Sequence, residues 1–510
     1  MSTSATNVVG LLDAGAPDAV AISTPGGVPL TYRALRALAA DTVAALNAKG
    51  IGRGDRVAIV LDNGPEMAAA FMCVAAGATA APLNPAYRAD EFEFYLSDLN
   101  ARILIIERDK TSPVVDVANK LGVPIVRLAA TPEEGAGSFA LVFPDAFGTA
   151  RASSSGPATS EDIALVLHTS GTTSRPKIVP LAQRNVCASA RNIRTTLALT
   201  PADRGLNIMP LFHIHGLIAG TLAPLSAGSE VCYTTGFNAL KFFQWVSEVR
   251  PTWYTAVPTM HQVILSRAGK NKDVIEANPL RFIRSSSSSL PPQVIKELEE
   301  VFGAPVIESY GMTEAAHQMS SNPLPPGTRK PGTVGVAAGP EVAVIDADGY
   351  PVAPGDIGEI AIRGENVTSG YENNPKANGE AFVRGWFRTG DQGVMDAEGY
   401  LTITGRLKEI INRGGEKISP REVDEVLLDH PAVQQCVTFA VPHDKLGEEV
   451  AAAVVLREGA QAGEKDLREF LAIRLADFKI PRKILILSEI PKGATGKIQR
   501  IGLAQKLGLA

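Results

Sequence analysis

The chain has 510 residues, of which 45% are hydrophobic, and a formal net charge of −5. This length exceeds one typical domain and supplies ample apolar material for a large core. The mildly acidic balance predicts no nucleic-acid partner, and the absence of an apolar run of about 20 residues predicts no membrane span.

Alternating helix and strand patterns dominate the first part of the chain. Thr31–Gly50 has helical apolar spacing, with Thr31 to cap its start and Gly50 to end it. This alternation predicts parallel sheets covered by helices, the α/β class. Thr131–Ser160, rich in Gly, Ala, Ser and Pro, interrupts the pattern and is predicted to be an excursion or linker. The other predicted elements here are a helix at Pro65–Ala75 and strands at Val57–Leu61, Ala78–Leu83, Ile103–Ile106 and Val123–Val126.

The middle of the chain continues the pattern and contains a run of five serines. The predicted strands are Ile163–Leu167, Leu206–Met209, Trp253–Ala256 and Arg281–Ile283, and the predicted helices are an apolar one ending near Leu225 and Pro292–Phe302. Ser285–Ser289 lies between a strand and a helix, which is where ligands bind in α/β sheets. We therefore expect an ordered site loop there, rather than the disorder that a serine run usually indicates.

The last quarter of the chain indicates a smaller β-rich section followed by a separate module. Gly355–Tyr371 and Tyr400–Thr404 have the β-rich character. Residues 405–408 are predicted to join a domain spanning 1–404 to a small α/β domain spanning 409–510. In that module we predict helices at Glu416–Asp429 and Glu464–Leu475 and strands at Gln434–Ala440 and Val450–Leu456.

Three short segments have the chemistry of a nucleotide site. Thr169–Lys177 offers hydroxyls, a glycine and cations for phosphate oxygens, although a plain polar loop is the alternative. In Glu308–Glu314, Tyr310 offers a flat face for a purine, and Glu314 offers a hard oxygen ligand for Mg²⁺. Asp391, in a glycine-flanked turn, can accept hydrogen bonds from both ribose hydroxyls or be an ordinary turn residue.

Two further features concern the chain end and the cysteines. Pro491–Lys497 presents Lys497 between glycines on a turn, from where a lysine can reach charge that develops during a reaction. Taken alone, a lysine so close to the chain end is usually a solvated surface residue. The four widely separated cysteines have neither metal nor disulfide spacing, which predicts reduced thiols in a cytoplasmic protein. The N-terminus has no signal-peptide pattern, which agrees with that location.

Taken together and in order, these segments resemble the acyl-adenylate-forming ligases, which include acyl-CoA synthetases, luciferase-like enzymes and peptide-synthetase adenylation domains. Five motifs carry the resemblance: Thr169–Lys177, Tyr310–Glu314, Thr389–Asp391, Gly405–Lys408 and Pro491–Lys497. The first motif departs from the family pattern at Ser174 and Ile178, where glycine is usual or frequent. The resemblance implies a large N-terminal domain of parallel-sheet α/β layers with a smaller β-rich section, and a small mobile C-terminal α/β domain.

The resemblance implies a two-step reaction with ATP, Mg²⁺ and coenzyme A. A carboxylate attacks the α-phosphate of ATP to give an acyl-adenylate, and a thiol then displaces AMP while the small domain rotates about Lys408. The implied catalytic residues are Lys497, Glu314 and Thr169, and Glu314 is the implied metal ligand. The implied nucleotide and coenzyme A residues are Thr169, Ser170, Gly171, Thr172, Thr173, Lys177, Ser309, Tyr310, Gly311, Thr313, Asp391, Arg406, Lys408, Gly414, Gly415 and Lys417.

The segments that line the acyl pocket in this family are rich in polar donors here. They contain Arg284 and the predicted substrate residues His213, His215, Ser287, Ser288 and His317. A fatty tail would bury these groups without partners, at about 1–3 kcal/mol each. They suit a short acid with a second charged group, and the surrounding sequence resembles the oxalyl-CoA synthetase branch of the family. The alternative for each histidine is a structural role near the nucleotide.

Other interpretations of the function of these residues remain open. The acid is predicted to be oxalate, but malonate or another short or aromatic acid would use the same chemistry. Adenylation could instead serve a carrier-protein thiol. A non-catalytic nucleotide-binding protein is a further alternative, against which the presence of both Glu314 and Lys497 argues. The oligomeric state is left open by the sequence.

Overall fold

The computed structural model describes residues 5–145, 147, 151–169, 176–491 and 498–510. The chain divides into two compact units, one of Met1–Val342 with Ile362–Phe387 and one of Ala343–Ala361 with Arg388–Ala510. The α/β class predicted from the sequence is confirmed, and each unit is described separately below. Among the described residues, no helix combines the length and the apolar character that crossing a bilayer requires.

The first unit contains a seven-stranded sheet. Its neighbouring strands are, in order, Phe139–Val142, Ile125–Ala130, Ile103–Glu107, Arg56–Val60, Thr79–Pro82, Ile163–Thr169 and Lys177–Ala182. The central strands are parallel, whereas the first and last strands pair antiparallel with their neighbours. The strand Phe139–Val142 lies within the segment predicted to be a linker, so that prediction was wrong there. Pairing with a distant neighbour, which local composition does not reveal, makes this short stretch a strand.

A nine-stranded sheet forms the rest of the layered core. Its neighbouring strands are, in order, Val336–Ala337, His317–Ser321, Val306–Met312, Phe282–Ser285, Trp253–Ala256, Arg204–Asn207, Glu230–Tyr233, Val20–Ser23 and Leu30–Thr31. The consecutive pairs from Val306–Met312 to Val20–Ser23 are parallel. Large apolar side chains such as Phe242, Tyr254 and Phe302 pack against this sheet and anchor the strands whose ends carry the site.

The helices begin and end largely where the sequence predicts. Thr31 accepts a hydrogen bond from Ala34 N at the start of Tyr32–Asn47. Pro292 occupies the first turn of Pro292–Phe302, and Gly303 ends it in the left-handed conformation at φ +61°. The apolar helix predicted after residue 216 is a π-helix, His215–Leu222, followed by Ala223–Leu225. The first unit also has the helices and short 3₁₀ turns Val8–Leu11, Leu12–Ala14, Pro65–Ala75, Ala89–Leu99, Pro113–Leu121, Gln183–Thr196, Phe242–Val249, Pro258–Ala268, Lys272–Ala277, Thr313–Ala315 and Pro375–Ala381.

The second unit has its own sheet and core. The strands Glu416–Ile418, Ile411–Arg413, Gly447–Leu456 and Val433–His443 are neighbours in that order, and Lys483–Ile486 pairs parallel with Gly447–Leu456. Apolar side chains cover both faces of this sheet. Its helices and 3₁₀ turn are Pro420–Leu428, Glu464–Ala472, Asp477–Lys479 and Leu503–Lys506.

The helix predicted at Glu416–Asp429 begins later than expected. Glu416–Ile418 is a strand instead, and the helix starts at Pro420 with Ser419 as its cap. Antiparallel pairing with Ile411–Arg413 extends the chain before the proline, which suits a first helical turn.

The remaining strands lie between residues 341 and 406, and three of them have residues in both units. Phe382–Val383 pairs with the start of Trp386–Met395, and Leu401–Arg406 pairs with the rest of that strand. The other two strands are Glu341–Ile345 and Ile357–Arg363. The predicted domain boundary at residues 405–408 stays a prediction.

Candidate active site

A tyrosine connects two of the predicted nucleotide motifs. The Tyr371 hydroxyl donates a hydrogen bond to Glu314 Oε1 at 2.8 Å, and Lys177 Nζ lies 4.2 Å from the centre of the same ring. Burial and the Glu314 charge raise the pKa of Tyr371, so its hydroxyl stays protonated and donates. The structure therefore brings the predicted phosphate-loop lysine and the predicted metal ligand to one side chain.

The segment that carries Tyr371 is fixed to both motifs by backbone contacts. Thr368 N donates to Glu314 O at 2.7 Å, and the Thr368 hydroxyl donates to Pro180 O at 2.7 Å. Glu372 N donates to Ile178 O at 3.1 Å. The tyrosine is thus held from both sides, which restricts the positions that the Glu314 carboxylate can take.

The predicted phosphate loop connects two paired strands. Ile163–Thr169 and Lys177–Ala182 are antiparallel, with Thr169 opposite Lys177. The predicted ligands Ser170, Gly171, Thr172 and Thr173 lie outside the described residues, as does Lys497. Their roles stay predictions.

The predicted adenine motif forms the end of a buried strand. Ser309, Tyr310 and Gly311 belong to Val306–Met312, and Thr313 and Glu314 follow in a 3₁₀ turn. A side chain at Gly311 would place its Cβ 1.8 Å from His317 O, so only glycine permits the close pairing with the next strand. This pairing fixes the turn that presents Glu314 on one side and His317 on the other.

A buried cluster joins four of the residues noted in the acyl-pocket segments. Arg284 is completely buried and lies 3.2 Å from His215 Nε2 through Nη1 and 3.2 Å from His317 Nε2 through Nη2. The two imidazole rings stack with their centres 4.8 Å apart. His215 Nδ1 lies 3.0 Å from the hydroxyl oxygen of Ser287. The predicted substrate residues His215, Ser287 and His317 therefore form one hydrogen-bonded group around a guanidinium.

Unusual backbone conformations occur at this cluster. Ser287 has φ +73° and His317 has φ +105°, a region that non-glycine residues seldom occupy. His215 begins the π-helix His215–Leu222, a helix type found frequently at functional sites. Such local strain persists only where the surroundings enforce it, and it concentrates at binding and catalytic sites.

The other two predicted substrate residues lie elsewhere. His213 lines a small cleft with Thr313 and His168. Burial lowers the pKa of His168, although Asp98, 2.9 Å from its ring, partly offsets this effect. Ser288 is exposed, so the structure does not bring it into the cluster.

The second unit holds the predicted ribose and hinge residues. Asp391 is buried and forms an ion pair with Arg406, whose Nε lies 3.0 Å from Asp391 Oδ1. Gly414 and Gly415 have φ values of +58° and +99° in the tight turn between paired strands. Lys417 contacts Asn412, and Lys408 is exposed. The predicted ribose residue Asp391 and the hinge-motif residue Arg406 are thus adjacent, while the roles of all six residues stay predictions.

The Glu314 carboxylate suits a metal ion that binds together with a nucleotide. Among the residues that the structure describes, no group of three or more His, Cys, Asp or Glu side chains could hold a metal by itself. Mg²⁺ is commonly held by one or two carboxylates together with substrate phosphates. Glu314, fixed by Tyr371, fits that mode of binding.

Sequence reasoning missed Tyr371, Thr255 and Gln318. Thr255 lies 2.6 Å from His215 Nε2, and Gln318 Oε1 accepts from Arg284 at 3.3 Å. Tyr371 could have been noticed as a lone aromatic residue in a polar Gly- and Asn-rich segment. Thr255 and Gln318 have no such signal, because each lies in a strand whose residues are all buried, so no pattern of exposure distinguishes it.

Comparison with known proteins identifies the family of the chain. The model of the AMP-binding enzyme family matches residues 13–372, and that of the AMP-binding enzyme C-terminal domain matches residues 422–497. The oxalate–CoA ligase of Arabidopsis thaliana is 47% identical over 96% of both chains. That of Saccharomyces cerevisiae is 44% identical over 89% of this chain and 87% of the relative. The crystal structure of ATP-bound MatB from Rhodopseudomonas palustris has a TM-score of 0.88 and 30% identity over 98% of both chains.

These matches establish the class of the protein. The chain belongs to the AMP-binding enzyme family, as the sequence motifs predict. Within that family, its relatives and its structural neighbour span nearly the whole chain.

Proposed function

We propose that the chain is an AMP-forming acid–thiol ligase that joins oxalate to coenzyme A at the expense of ATP. The observation that carries this proposal is the buried group of Arg284, His215, Ser287 and His317, which supplies a positive charge and several donors. Two oxalate–CoA ligases that are 47% and 44% identical support the same substrate.

The first step needs two anions to approach each other. A carboxylate oxygen of oxalate attacks the α-phosphorus of ATP, and the bond to the pyrophosphate oxygen breaks. We assign Lys177, together with Thr169 and the loop that follows it, to the departing phosphates. Lys497 would neutralise the charge between the carboxylate and the α-phosphate. Fixed positive groups at these places stabilise the transition state without reorganisation.

Glu314 would hold Mg²⁺ on the phosphates during this step. Its carboxylate accepts the Tyr371 hydroxyl at 2.8 Å, which fixes the position from which it would hold the metal. When bound, Mg²⁺ supplies charge that offsets the leaving pyrophosphate.

The second step transfers the acyl group. The sulfur of coenzyme A attacks the acyl carbon, AMP leaves, and the thiol proton goes to solvent. We assign Asp391 and Arg406 to the ribose, and Gly414, Gly415 and Lys417 to the nucleotide and pantetheine, with Lys408 as the hinge. A cytoplasmic location is part of this proposal.

Oxalate is preferred over larger acids because of what the pocket would bury. A buried charge is ordinarily paired, because leaving it unpaired is costly. A hydrocarbon tail against this cluster would leave the buried charge of Arg284 uncompensated, whereas the distal carboxylate of oxalate supplies the opposite charge.

The test measures pyrophosphate release and CoA-dependent AMP formation with oxalate, malonate, acetate and a coumarate-like acid. We expect oxalate to give the highest kcat/KM and AMP formation to require coenzyme A. Pyrophosphate release with none of the short diacids would refute the proposal. If AMP formation is independent of coenzyme A but requires a carrier protein, the acyl acceptor of the second step is a carrier-protein thiol.

A further inference from the structure

Arg284 has an environment that a structural arginine would not have. The side chain is completely buried, and none of its partners carries a carboxylate: they are His215, Thr255, His317 and Gln318, at 3.2 to 3.4 Å. No Asp or Glu of the described part of the chain pairs with it, and its Nε atom has no hydrogen-bond partner there. Burial lowers the pKa of Arg284 to about 9, which still leaves it charged at neutral pH.

A nearby arginine provides the contrast. Arg281, three residues earlier, lies 2.9 Å from Asp203 Oδ1 and also donates to Leu197 O. That guanidinium is compensated by a carboxylate and is partly exposed. Buried charges are ordinarily paired in this way, because an unpaired one is costly.

The contacts of Arg284 determine where the histidine protons reside. A guanidinium can only donate, so in their contacts with Arg284 the Nε2 atoms of His215 and His317 both accept. The Thr255 hydroxyl, which accepts from Arg284, then donates its own proton to His215 Nε2 at 2.6 Å. Each ring then carries its proton on Nδ1. His215 Nδ1 therefore donates to the Ser287 oxygen at 3.0 Å, which leaves the Ser287 hydroxyl proton to be given to another acceptor.

We infer that Arg284 is a positioning residue that holds His215 and His317 as neutral Nδ1 donors and supplies the positive charge that selects a doubly charged acid. Through His215 it orients the hydroxyl of Ser287 toward the distal carboxylate. This inference rests on the proposed function, because it names the element of the site that distinguishes a dianion from a monoanion. The protein retains an uncompensated buried charge until the acid binds and neutralises it.

The test compares Arg284→Met and Arg284→Lys with the matched control Arg281→Met. In Arg284→Met we expect the oxalate KM to rise about 10- to 100-fold, the equivalent of a lost hydrogen bond to a charged group. We expect the ATP KM to stay within about twofold, because none of the contacts of Arg284 involves a residue assigned to the nucleotide. Arg284→Lys keeps the charge but not the two-pronged geometry, so it should show a smaller rise in oxalate KM. Arg281→Met should lower the Tm and leave the oxalate KM unchanged.

Several outcomes would overturn the inference. They are an unchanged oxalate KM in Arg284→Met, or equal rises in the oxalate and ATP KM values. If Arg284→Met does not fold, the same comparison of the rise in oxalate KM with the rise in ATP KM is made on Arg284→Lys. Failure of the proposed function is distinguished from failure of this inference by the wild-type protein, which would then show no activity with oxalate. Were malonate the substrate instead, the same comparison would be made with malonate.

Discussion

Replacing Tyr371 by phenylalanine isolates the hydroxyl that holds Glu314. The ring stays, so Lys177, 4.2 Å from the ring centre, keeps its contact with the aromatic face. Only the 2.8 Å hydrogen bond to Glu314 Oε1 is removed. The Glu314 side chain is buried, so water replaces the lost donor poorly.

The size of the effect follows from the charge of the acceptor. A hydrogen bond to a charged group contributes about 1.5–3 kcal/mol, against about 0.5–1.5 kcal/mol for a neutral pair. We therefore expect Tyr371→Phe to lower the free energy of unfolding of the ligand-free protein by about 1.5–3 kcal/mol. If Mg²⁺ binds Glu314, the metal compensates the carboxylate, so much of this loss should disappear with Mg²⁺ and ATP present.

Urea unfolding followed by tryptophan fluorescence measures this difference with and without Mg²⁺ and ATP. The control is Tyr32→Phe, because the buried Tyr32 hydroxyl donates to the carbonyl oxygen of Ser229 at 2.7 Å. Its loss should cost about 0.5–1.5 kcal/mol, whether or not the ligands are present. An equal loss for Tyr371→Phe in both conditions would refute the assignment of Glu314 as a metal ligand.

Three further predictions concern the acid, the catalytic lysine and the second unit. His317→Ala should raise the oxalate KM more than the ATP KM, and equal rises in steady-state assays would remove His317 from the acid site. Lys497→Ala should abolish pyrophosphate release while thioester formation from supplied acyl-adenylate persists; loss of both activities would contradict separate roles for the two steps. Arg500→Met leaves Asp424 buried without its cation, which should cost about 3 kcal/mol in urea unfolding. Lys465→Met, which breaks an exposed pair, should cost under about 1 kcal/mol, and equal losses would count against the burial argument.

Elements with strong local signals were predicted correctly from the sequence. Pro65–Ala75 and Pro292–Phe302 match their predicted bounds because each has a proline in its first turn, which fixes the start. Trp253–Ala256 also matches, because its apolar and aromatic residues favour a buried strand. The errors at Phe139–Val142 and Glu416–Ile418 share a cause, since both are short strands whose pairing partners determine their structure.

The acid-binding cluster shows where sequence reasoning ends. Arg284 lies in a strand whose four residues are all buried, so no alternation of polar and apolar positions indicates which way its side chain points. The parallel pairing of that strand with Trp253–Ala256 places Thr255 opposite Arg284. His215 and His317 come from other elements, so their arrangement around the guanidinium depends on the packing of three segments. The types of the donors could therefore be predicted, whereas the direction of each hydrogen bond, on which selection of a dianion depends, could come only from the fold.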